Sequence, residues 1–326
     1  MKKLGIFLLN TVGVLILAFV VAWTGLVVAK CVLYRDYMKN GMDECTIPDL
    51  HRDFVPQGLT HADDNTFIFS GYHGKTGALC LYISENGTSK KLIPLDTDGK
   101  EWEGHGGGVA CVGDYVYVAS EAKLIIFKLS DMRNANSGEQ LTCIGTFPVD
   151  TEASFCYTDG QFLYVGEFYR PVDYPIDDSH RFVTPAGDEH QALVSVYPLT
   201  PSGEIADTYP LYSISIPAQV QGFAVKGNTY MVSRSWGVTT SKLEFYNGII
   251  DTGSTIDVSG KAVPLFYLDS YNLEKTLDMP AFSEDLTVIG DRVYVSFESA
   301  CNKYIVGKLF FADQVVSYPI PTFGEK

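Results

Sequence analysis

The chain contains few of the residues that mark common catalytic and metal-binding motifs. Its 326 residues include seven cysteines and six histidines. The cysteines form no CxxC pair, and no cysteines and histidines have the spacing of a zinc site. The GxSxG motif of serine hydrolases and the HExxH motif of metalloproteases are also absent. These absences exclude the metal and nucleophile sites that can be recognised from sequence alone.

Basic residues are scarce. The chain has 24 Lys and Arg against 39 Asp and Glu. Residues 40–326 alone carry 19 basic and 38 acidic side chains, a formal charge of −19. Such a field repels the phosphates of nucleic acid and of anionic lipid headgroups. We therefore expect no nucleic-acid partner.

Charge is missing altogether from Leu4 to Ala29. At about 1.5 Å per residue, this run is long enough to cross a hydrocarbon core of roughly 30 Å. We predict that residues 1–30 are a transmembrane anchor with a short N-terminal tail, which contacts the membrane through residues 4–29. The alternative is a cleavable signal peptide, but such signals use an apolar stretch of only about 7–15 residues.

The orientation of this anchor depends on its flanks. Lys2 and Lys3 precede it, whereas Lys30, Arg35 and Lys39 follow it, so the positive-inside count nearly ties. A short tail has little to translocate, and large C-terminal domains cross largely regardless of charge. We predict a single-pass protein of the cell membrane with its C-terminal domain outside the cytoplasm.

The predicted anchor sets the expectations for the segments next to it. We expect residues 31–50 to be a juxtamembrane linker and residues 1–40 to be dispensable for folding. The domain that follows should be a monomer.

After residue 50 one sequence pattern recurs five times. It consists of a small or polar residue, an apolar pair, a Gly/Asp/Asn turn, and a β-branched and aromatic run, and each copy indicates a strand, a tight turn and a second strand. The copies begin at Gln57, Gly107, Glu152, Gln221 and Glu284. Their starts are 50, 45, 69 and 63 residues apart, which is the spacing of propeller blades.

Further strands follow each copy. Third strands are predicted at 78–83, 124–127, 192–197, 243–246 and 304–309, and fourth strands at positions such as 92–95 and 315–320. Five units of four antiparallel strands predict an all-β fold, a five-bladed β-propeller over residues 51–326. A six-bladed propeller and a sandwich are the alternatives.

Polar residues concentrate in the loops at one end of this propeller, which we call the upper face. The loops leading into each first strand and those joining second to third strands both emerge there. Carboxylates, amides, imidazoles and aromatic rings that converge on one concavity are typical of a ligand site. The candidate ligand-binding residues are Gln57, His73, His105, Glu152, Glu167, Tyr169, Gln221, Arg234, Trp236, Glu284 and Glu298. The alternative is that they only line a water-filled channel.

The longest insertion, residues 169–191, joins the second and third strands of the third blade. It therefore projects over the upper face. A loop of more than about 12–15 residues in a compact repeat is usually functional or disordered. A lid over the site and a solvated hairpin both fit.

Three weaker patterns complete the candidates. Asp96, Asp98 and Glu101 resemble part of a calcium loop without its full spacing. Glycines 106–108 permit close backbone packing near the axis. A bridge from Cys45 to Cys301 would tie the chain start to the last blade, although sequence alone cannot establish it.

Two blades carry a family resemblance. Pro56-Gln57-Gly58-Leu59-Thr60 with its following Ser-Gly-Tyr loop, and Ser283-Glu284-Asp285-Leu286 in the last blade, resemble the plant-type glutaminyl cyclases. The resemblance implies a five-bladed propeller and a cyclase activity. The second and third blades depart from that family, with His-Gly-Gly-Gly at 105–108 and Glu-Ala-Ser-Phe at 152–155. The blade pattern also resembles lactonase and strictosidine-synthase-like propellers and bacterial membrane-anchored propellers.

Two functions are consistent with these residues. A binding module would present its acidic, aromatic face to a sugar, peptide or protein, with aromatic side chains as anchors. An enzyme would use Glu152 or Glu284 as acid or base, with its pKa raised by neighbouring acids. The same carboxylates with Gln57 could instead hold a calcium ion.

Overall fold

The computed structural model describes residues 2–310 and 312–324, of which residues 2–10 and 310 are described by their backbone alone. The predicted anchor begins at residue 1 and the predicted propeller ends at residue 326, and both of these residues lie outside the described range. The chain begins with helix α1, Lys2–Leu33. Its segment Thr11–Leu33 is long and apolar enough to cross a membrane, a property that signal sequences near an N-terminus share. This segment is not buried against the rest of the protein.

The segment after this helix is part of the propeller. Helix α2, Arg35–Asn40, is followed by strand β1, Met42–Thr46. Tyr34 and Tyr37 are buried in the same apolar cluster as residues of the third, fourth and fifth blades. This packing conflicts with the expectation that residues 31–50 are a linker and that residues 1–40 are dispensable for folding.

The remaining strands form five blades. Blade 1 consists of β2 (Phe54–Asp63), β3 (Thr66–His73), β4 (Leu79–Glu85) and β5 (Thr88–Leu95). Blade 2 consists of β6 (Val109–Val112), β7 (Tyr115–Ser120), β8 (Lys123–Lys128) and, after helix α3 (Leu129–Asn134) and strand β9 (Gln140–Thr142), of β10 (Gly145–Pro148).

Blades 3 and 4 each carry an inserted hairpin. Blade 3 consists of β11 (Phe155–Thr158), β12 (Phe162–Gly166), β15 (Ala192–Pro198) and β16 (Tyr212–Ile216), with the hairpin β13 (Phe182–Val183) and β14 (Glu189–His190) inserted. Blade 4 consists of β17 (Val220–Lys226), β18 (Thr229–Arg234), β19 (Ser241–Asn247) and β22 (Leu273–Met279), with the hairpin β20 (Ile250–Val258) and β21 (Lys261–Tyr267) inserted.

Blade 5 combines both ends of the chain. It consists of β23 (Ser283–Ile289), β24 (Arg292–Phe297), β25 (Gln314–Pro319) and β1. Met42 of β1 lies opposite Ser317 of β25 in an antiparallel pair. The prediction of a third strand at 304–309 is wrong, because residues 298–310 form a loop that contains the 3₁₀ helix Val306–Phe310. The first strand of the chain therefore supplies the outer strand of the last blade.

The five innermost strands close a ring, in which β2, β6, β11, β17 and β23 each neighbour the next. This arrangement confirms the five-bladed propeller. Parallel pairing between neighbours reinforces the ring, because β9 extends blade 1 beside β5 and β21 extends blade 3 beside β16.

The core lies between the blades because each sheet packs against a neighbour on both faces. Ile68 and Leu81 of blade 1 share an apolar cluster with Val116, Val118 and Ile125 of blade 2. Consecutive residues of β3 and β7 are accordingly buried on both faces, as expected for strands with no solvent-facing side.

Glycine is required where inner strands meet near the axis. A methyl group at Gly107 would collide with the carbonyl oxygen of Ser154, and one at Gly222 would lie 2.6 Å from the Cα of Asp285. The Oδ2 of Asp285 accepts hydrogen bonds from the backbone N–H of Leu59 (3.0 Å) and Val109 (3.4 Å). Blades 1, 2 and 5 are thus joined at their inner edges.

Candidate functional site

The upper face opens into a cavity of about 730 Å³ to which all five blades contribute. The first strands begin here and the second strands end here, so that loop residues from every blade converge on the axis. Seven of the eleven residues predicted from the sequence line it: Gln57, His105, Glu152, Gln221, Trp236, Glu284 and Glu298. The other four, His73, Glu167, Tyr169 and Arg234, do not.

Two carboxyl groups from blade 5 lie at the bottom of this cavity. Glu284 is the second residue of the first strand of the blade, and Glu298 follows its second strand. Glu284 is only 2% exposed, and its Oε1 finds no hydrogen-bond partner among the described residues. The Nε2 of Gln57 donates to Oε2 of Glu298 over 3.0 Å. The two carboxyl groups and Gln57 therefore form a buried polar cluster against the cavity.

These two carboxyl groups share their environment and a proton. Burial is the largest effect on Glu284 and, together with the neighbouring charge of Glu298, raises its pKa well above the ordinary value. Burial also raises the pKa of Glu298 to about 8, although Lys303 and the hydrogen bonds from Glu284 and Gln57 act against it. At neutral pH the pair therefore holds at least one proton, so that it can donate as well as accept.

One wall of the cavity is a stack from blades 1, 2 and 5. The rings of His105 and Tyr72 lie parallel, with 4.1 Å between centroids and 5° between planes. The Nζ of Lys303 donates to the hydroxyl of Tyr72 over 2.6 Å, and the Tyr304 hydroxyl lies 3.4 Å from the same oxygen. Burial, followed by the charge of Lys303, lowers the pKa of His105. This histidine is therefore neutral at pH 7.

The opposite wall is aromatic and comes from blades 3 and 4. Trp236 stacks on Phe168 at 6.0 Å between centroids, and the ring of Tyr174 meets both edge-on. The guanidinium of Arg170 lies 3.9 Å from the centre of the Trp236 ring. Tyr174 lies in the long insertion and Phe168 immediately precedes it, so part of the insertion forms this wall. Flat aromatic surfaces on two sides suit a ligand with apolar faces and polar edges.

Glu167 and Tyr169 hold the insertion in place. The Oε2 of Glu167 accepts from the backbone N–H of Leu193 (3.0 Å), and Oε1 lies 2.8 Å from Nδ1 of His180. Tyr169 is buried, with the Arg181 guanidinium 5.6 Å from its ring centre. Both residues are therefore part of the structural support of the cavity wall.

Arg234 and His73 also serve local structure. The Nη1 of Arg234 donates to Oε1 of Glu244 over 2.8 Å, within blade 4. The Nδ1 of His73 accepts from the backbone N–H of Lys75 and Thr76, each at 3.4 Å, in the hairpin after β3. Neither side chain is part of the cavity lining.

Two lining residues are not among those predicted from the sequence: Lys303, the only lysine among the described lining residues, and its neighbour Tyr304. Both lie in the loop between the second and third strands of blade 5, and this type of loop was predicted to reach the upper face. The error was the strand assigned to 304–309, because it placed Tyr304 inside a sheet. The sheet-forming composition of Tyr304-Ile305-Val306 concealed a loop.

The calcium and disulfide candidates are not assembled in the described part of the chain. It contains no cluster of three or more His, Cys, Asp or Glu placed to hold a metal ion. The Oδ1 of Asp96 instead accepts from the backbone N–H of Asp98 and Lys100, each over 2.9 Å, which makes an Asx turn. Cys45 and Cys301 are free thiols that belong to one apolar cluster.

Comparison with known proteins assigns no family. No family model and no curated protein matches the sequence, and thus no match supports the resemblance to glutaminyl cyclases. Among solved structures, a chain of the mitotic checkpoint complex has a TM-score of 0.39 at 12% identity, covering 83% of this chain and 79% of that chain. BamB from Moraxella catarrhalis has a TM-score of 0.31 at 10% identity, covering 81% and 85%. The computationally designed Ika8 protein has 0.33 at 8%, covering 81% and 71%. Similarities this low carry no inference about function.

Proposed function

We propose that this chain is a membrane-anchored binding protein whose propeller lies outside the cytoplasm and holds a small polar ligand, such as a sugar or a short peptide, in the upper cavity. The observation that carries the proposal is the cavity of about 730 Å³ at the upper face, which all five blades line and into which the polar groups of Gln57, Gln221 and the carboxyl pair converge. Buried polar groups favour a ligand that can form hydrogen bonds with them.

The lining supports a ligand with hydroxyl or amide groups. Gln57 and Gln221 offer amide groups, and the carboxyl pair can both donate and accept. Tyr72 and Trp236 provide aromatic surfaces on opposite walls. Cavities of roughly 300–1,000 Å³ with a few convergent polar groups are the usual form of a small-molecule site.

The experiment is a thermal-shift screen of the full chain in detergent against sugars, amino acids and short peptides. A compound that binds the cavity should raise the melting temperature, and Trp236→Ala should weaken its binding by about tenfold, since an aromatic contact contributes roughly 1 kcal/mol or more. Tyr271→Ala is the matched control, because Tyr271 is exposed and lies outside the cavity lining. Equal affinity in both variants would contradict the proposed site.

The location is tested in intact cells. Protease added from outside should cleave the propeller, and its insertion 169–191 offers accessible bonds because residues such as Val172 are exposed. Protection until the cells are permeabilised would place the propeller in the cytoplasm.

The carboxyl pair favours a second candidate function, acid–base catalysis. A carboxyl group with a pKa near 8, such as Glu298, can donate a proton at neutral pH. In an enzyme, Glu298→Gln would abolish turnover of a bound compound while binding persists. In a binding protein, no bound compound is consumed by the wild-type chain.

A further inference from the structure

Helix α2 runs along the outer side of the propeller from the upper face toward the lower one. The ring of Tyr37 meets Phe297, at the upper end of β24, with 6.0 Å between centroids. At the end of the helix, the side-chain amide of Asn40 lies 3.4 Å from the hydroxyl of Tyr318, and its carbonyl accepts from Arg292 at the lower end of β24. The start of α2 is therefore at the upper face.

Helix α1 continues from that point, away from the propeller. The backbone N–H of Tyr34 bonds to the carbonyl of Lys30 (3.0 Å), and that of Met38 bonds to Tyr34 (2.8 Å), so helical bonding passes through the junction of α1 and α2. The segment that can cross a membrane thus leaves the propeller on the side to which the cavity opens.

The rim on this side of the cavity is apolar. Ile305 is 80% exposed and Val172 is 94% exposed, and Val306, Leu309 and Val238 are about half exposed. These side chains belong to loops of blades 3, 4 and 5, and α2 packs against blades 4 and 5. Ile305, Val306 and Val238 also line the cavity. Exposed aliphatic side chains beside a membrane anchor are suited to the headgroup boundary of a bilayer.

The charge of the lining selects among headgroups. Glu121 and Glu152 bring carboxylates to the described lining, Asp173 is paired with Arg170, the Glu284–Glu298 pair retains at least one proton, and Lys303 is the one lysine among these lining residues. This excess of acid repels a phosphate. An uncharged headgroup with many hydroxyls avoids the repulsion and can bond to the amides and carboxyl groups of the cavity.

We propose that the cavity faces the membrane and takes the uncharged sugar headgroup of a glycolipid directly from the bilayer. The inference rests on the proposed function, since it names the ligand class of the same cavity and uses the same anchor. The apolar rim would contact the acyl chain boundary while the headgroup enters between the two aromatic walls.

The experiment uses the full chain in phosphatidylcholine nanodiscs with or without digalactosyldiacylglycerol. A photo-crosslinking amino acid, benzoylphenylalanine, replaces Ile305 at the rim, Phe19 in α1 as the positive control, or Asp64 in the lower-face turn as the negative control. We expect lipid adducts at positions 305 and 19 and none at 64, read by mass spectrometry. Adducts at position 19 alone would overturn the membrane-facing orientation.

The second measurement is thermal unfolding in the same nanodiscs. Digalactosyldiacylglycerol should raise the melting temperature of the wild-type chain. Gln221→Leu should weaken that interaction about tenfold, because a buried polar group of the headgroup loses its partner. Gln161→Leu is the matched control, since Gln161 is exposed and is not part of the cavity lining.

Two results would overturn the ligand class. One is an absence of stabilisation by digalactosyldiacylglycerol, and the other is an equal stabilisation by phosphatidylglycerol. If soluble sugars or peptides still bind with dependence on Trp236 in either case, the proposed function stands and only the glycolipid inference fails. If neither soluble compounds nor lipids bind the cavity, both fail.

Discussion

Glu167 and His180 are joined by a hydrogen bond of 2.8 Å between Oε1 and Nδ1, and both side chains are buried. Since the other oxygen of Glu167 accepts from the backbone of Leu193 in the third strand, this carboxylate ties the insertion 169–191 to blade 3. The wall formed by Phe168 and Tyr174 depends on that insertion. The pair therefore holds one side of the cavity without lining it.

We predict that this tie weakens as the pH rises. Burial is the largest effect on His180 and lowers its pKa, but the hydrogen bond and charge of Glu167, with the charges of Asp150 and Asp177, outweigh burial and raise the pKa above 6.5. A raised folded-state pKa gives stability that is complete below the unfolded-state value and is lost as the pH passes the folded-state value. His180→Ala should therefore lower the free energy of unfolding by about 1.5–3 kcal/mol in mild acid and by less in alkali.

Urea unfolding of the wild-type chain and of His180→Ala at about pH 6 and about pH 8.5 measures this difference. His51→Ala is the control, because His51 is exposed. An identical loss at the two pH values would show that His180 acts only through packing.

The carboxyl pair should also make the wild-type chain less stable in alkali. The folded-state pKa of Glu298 is about 8 against an ordinary value of 4.5, and that of Glu284 is raised in the same direction. The contribution of these carboxyl groups to the free energy of unfolding is therefore complete below about pH 4.5 and is lost as the pH rises through about 8. Glu298→Gln removes the titrating group, so its melting temperature should exceed that of the wild type at about pH 9 and depend less on pH.

Glu189→Gln supplies the comparison for this variant, since Glu189 is exposed and outside the cavity lining. Differential scanning calorimetry across the pH range measures the melting temperatures of both variants. Parallel melting curves for Glu298→Gln and the wild type would mean that Glu298 is ionised at little cost.

The fold could be predicted because its signal is repeated. Each blade carries the same alternation of turn and β-branched run, and five copies reinforce one another even where a single copy is ambiguous. The glycines at 106–108 were predicted from the same logic, and the contact of Gly107 with Ser154 agrees with it. Such features depend on local chemistry and on the period of the chain.

The features that were not predicted depend on contacts between segments that are distant in the sequence, and no local pattern encodes such contacts. Strand β1 has no partner near it in sequence, and only ring closure places Met42 beside Ser317. Glu167 has the same residue type and loop position as the lining residue Glu298, yet its carboxyl group is hydrogen-bonded to His180 within the insertion. Polar type and loop position therefore predicted the cavity but could not separate its lining from its support.

The structural role of the segment between helix α1 and strand β1 can be tested at Tyr37. Tyr37 is buried, and its hydroxyl finds no hydrogen-bond partner among the described residues. Tyr37→Ala should destabilise the chain by about 3–5 kcal/mol, the range for losing a large buried aromatic side chain. Tyr37→Phe should be neutral or stabilise by up to about 1 kcal/mol, because it removes only an unsatisfied polar group.

Denaturant unfolding of the full chain in detergent measures both variants of Tyr37. The opposite signs make the test specific, since a segment that merely links helix α1 to the propeller would tolerate both changes. A full loss of stability in Tyr37→Phe would instead reveal a hydrogen bond to its hydroxyl.

The inner ring should be least tolerant where backbone meets backbone. Gly107→Ala places a methyl group against the carbonyl oxygen of Ser154, and neither strand can move without disturbing the ring. Since overpacking costs about 1–3 kcal/mol even among side chains, we expect at least that loss of stability against a rigid carbonyl. Gly74→Ala is the matched control, because its methyl group would meet neighbours only at the ordinary contact distance of 3.4 Å. Thermal unfolding should show a lower melting temperature for Gly107→Ala alone. Equal melting temperatures for both variants would mean that blades 2 and 3 can separate at the axis, and that glycine is present there for another reason, such as the close approach of a ligand.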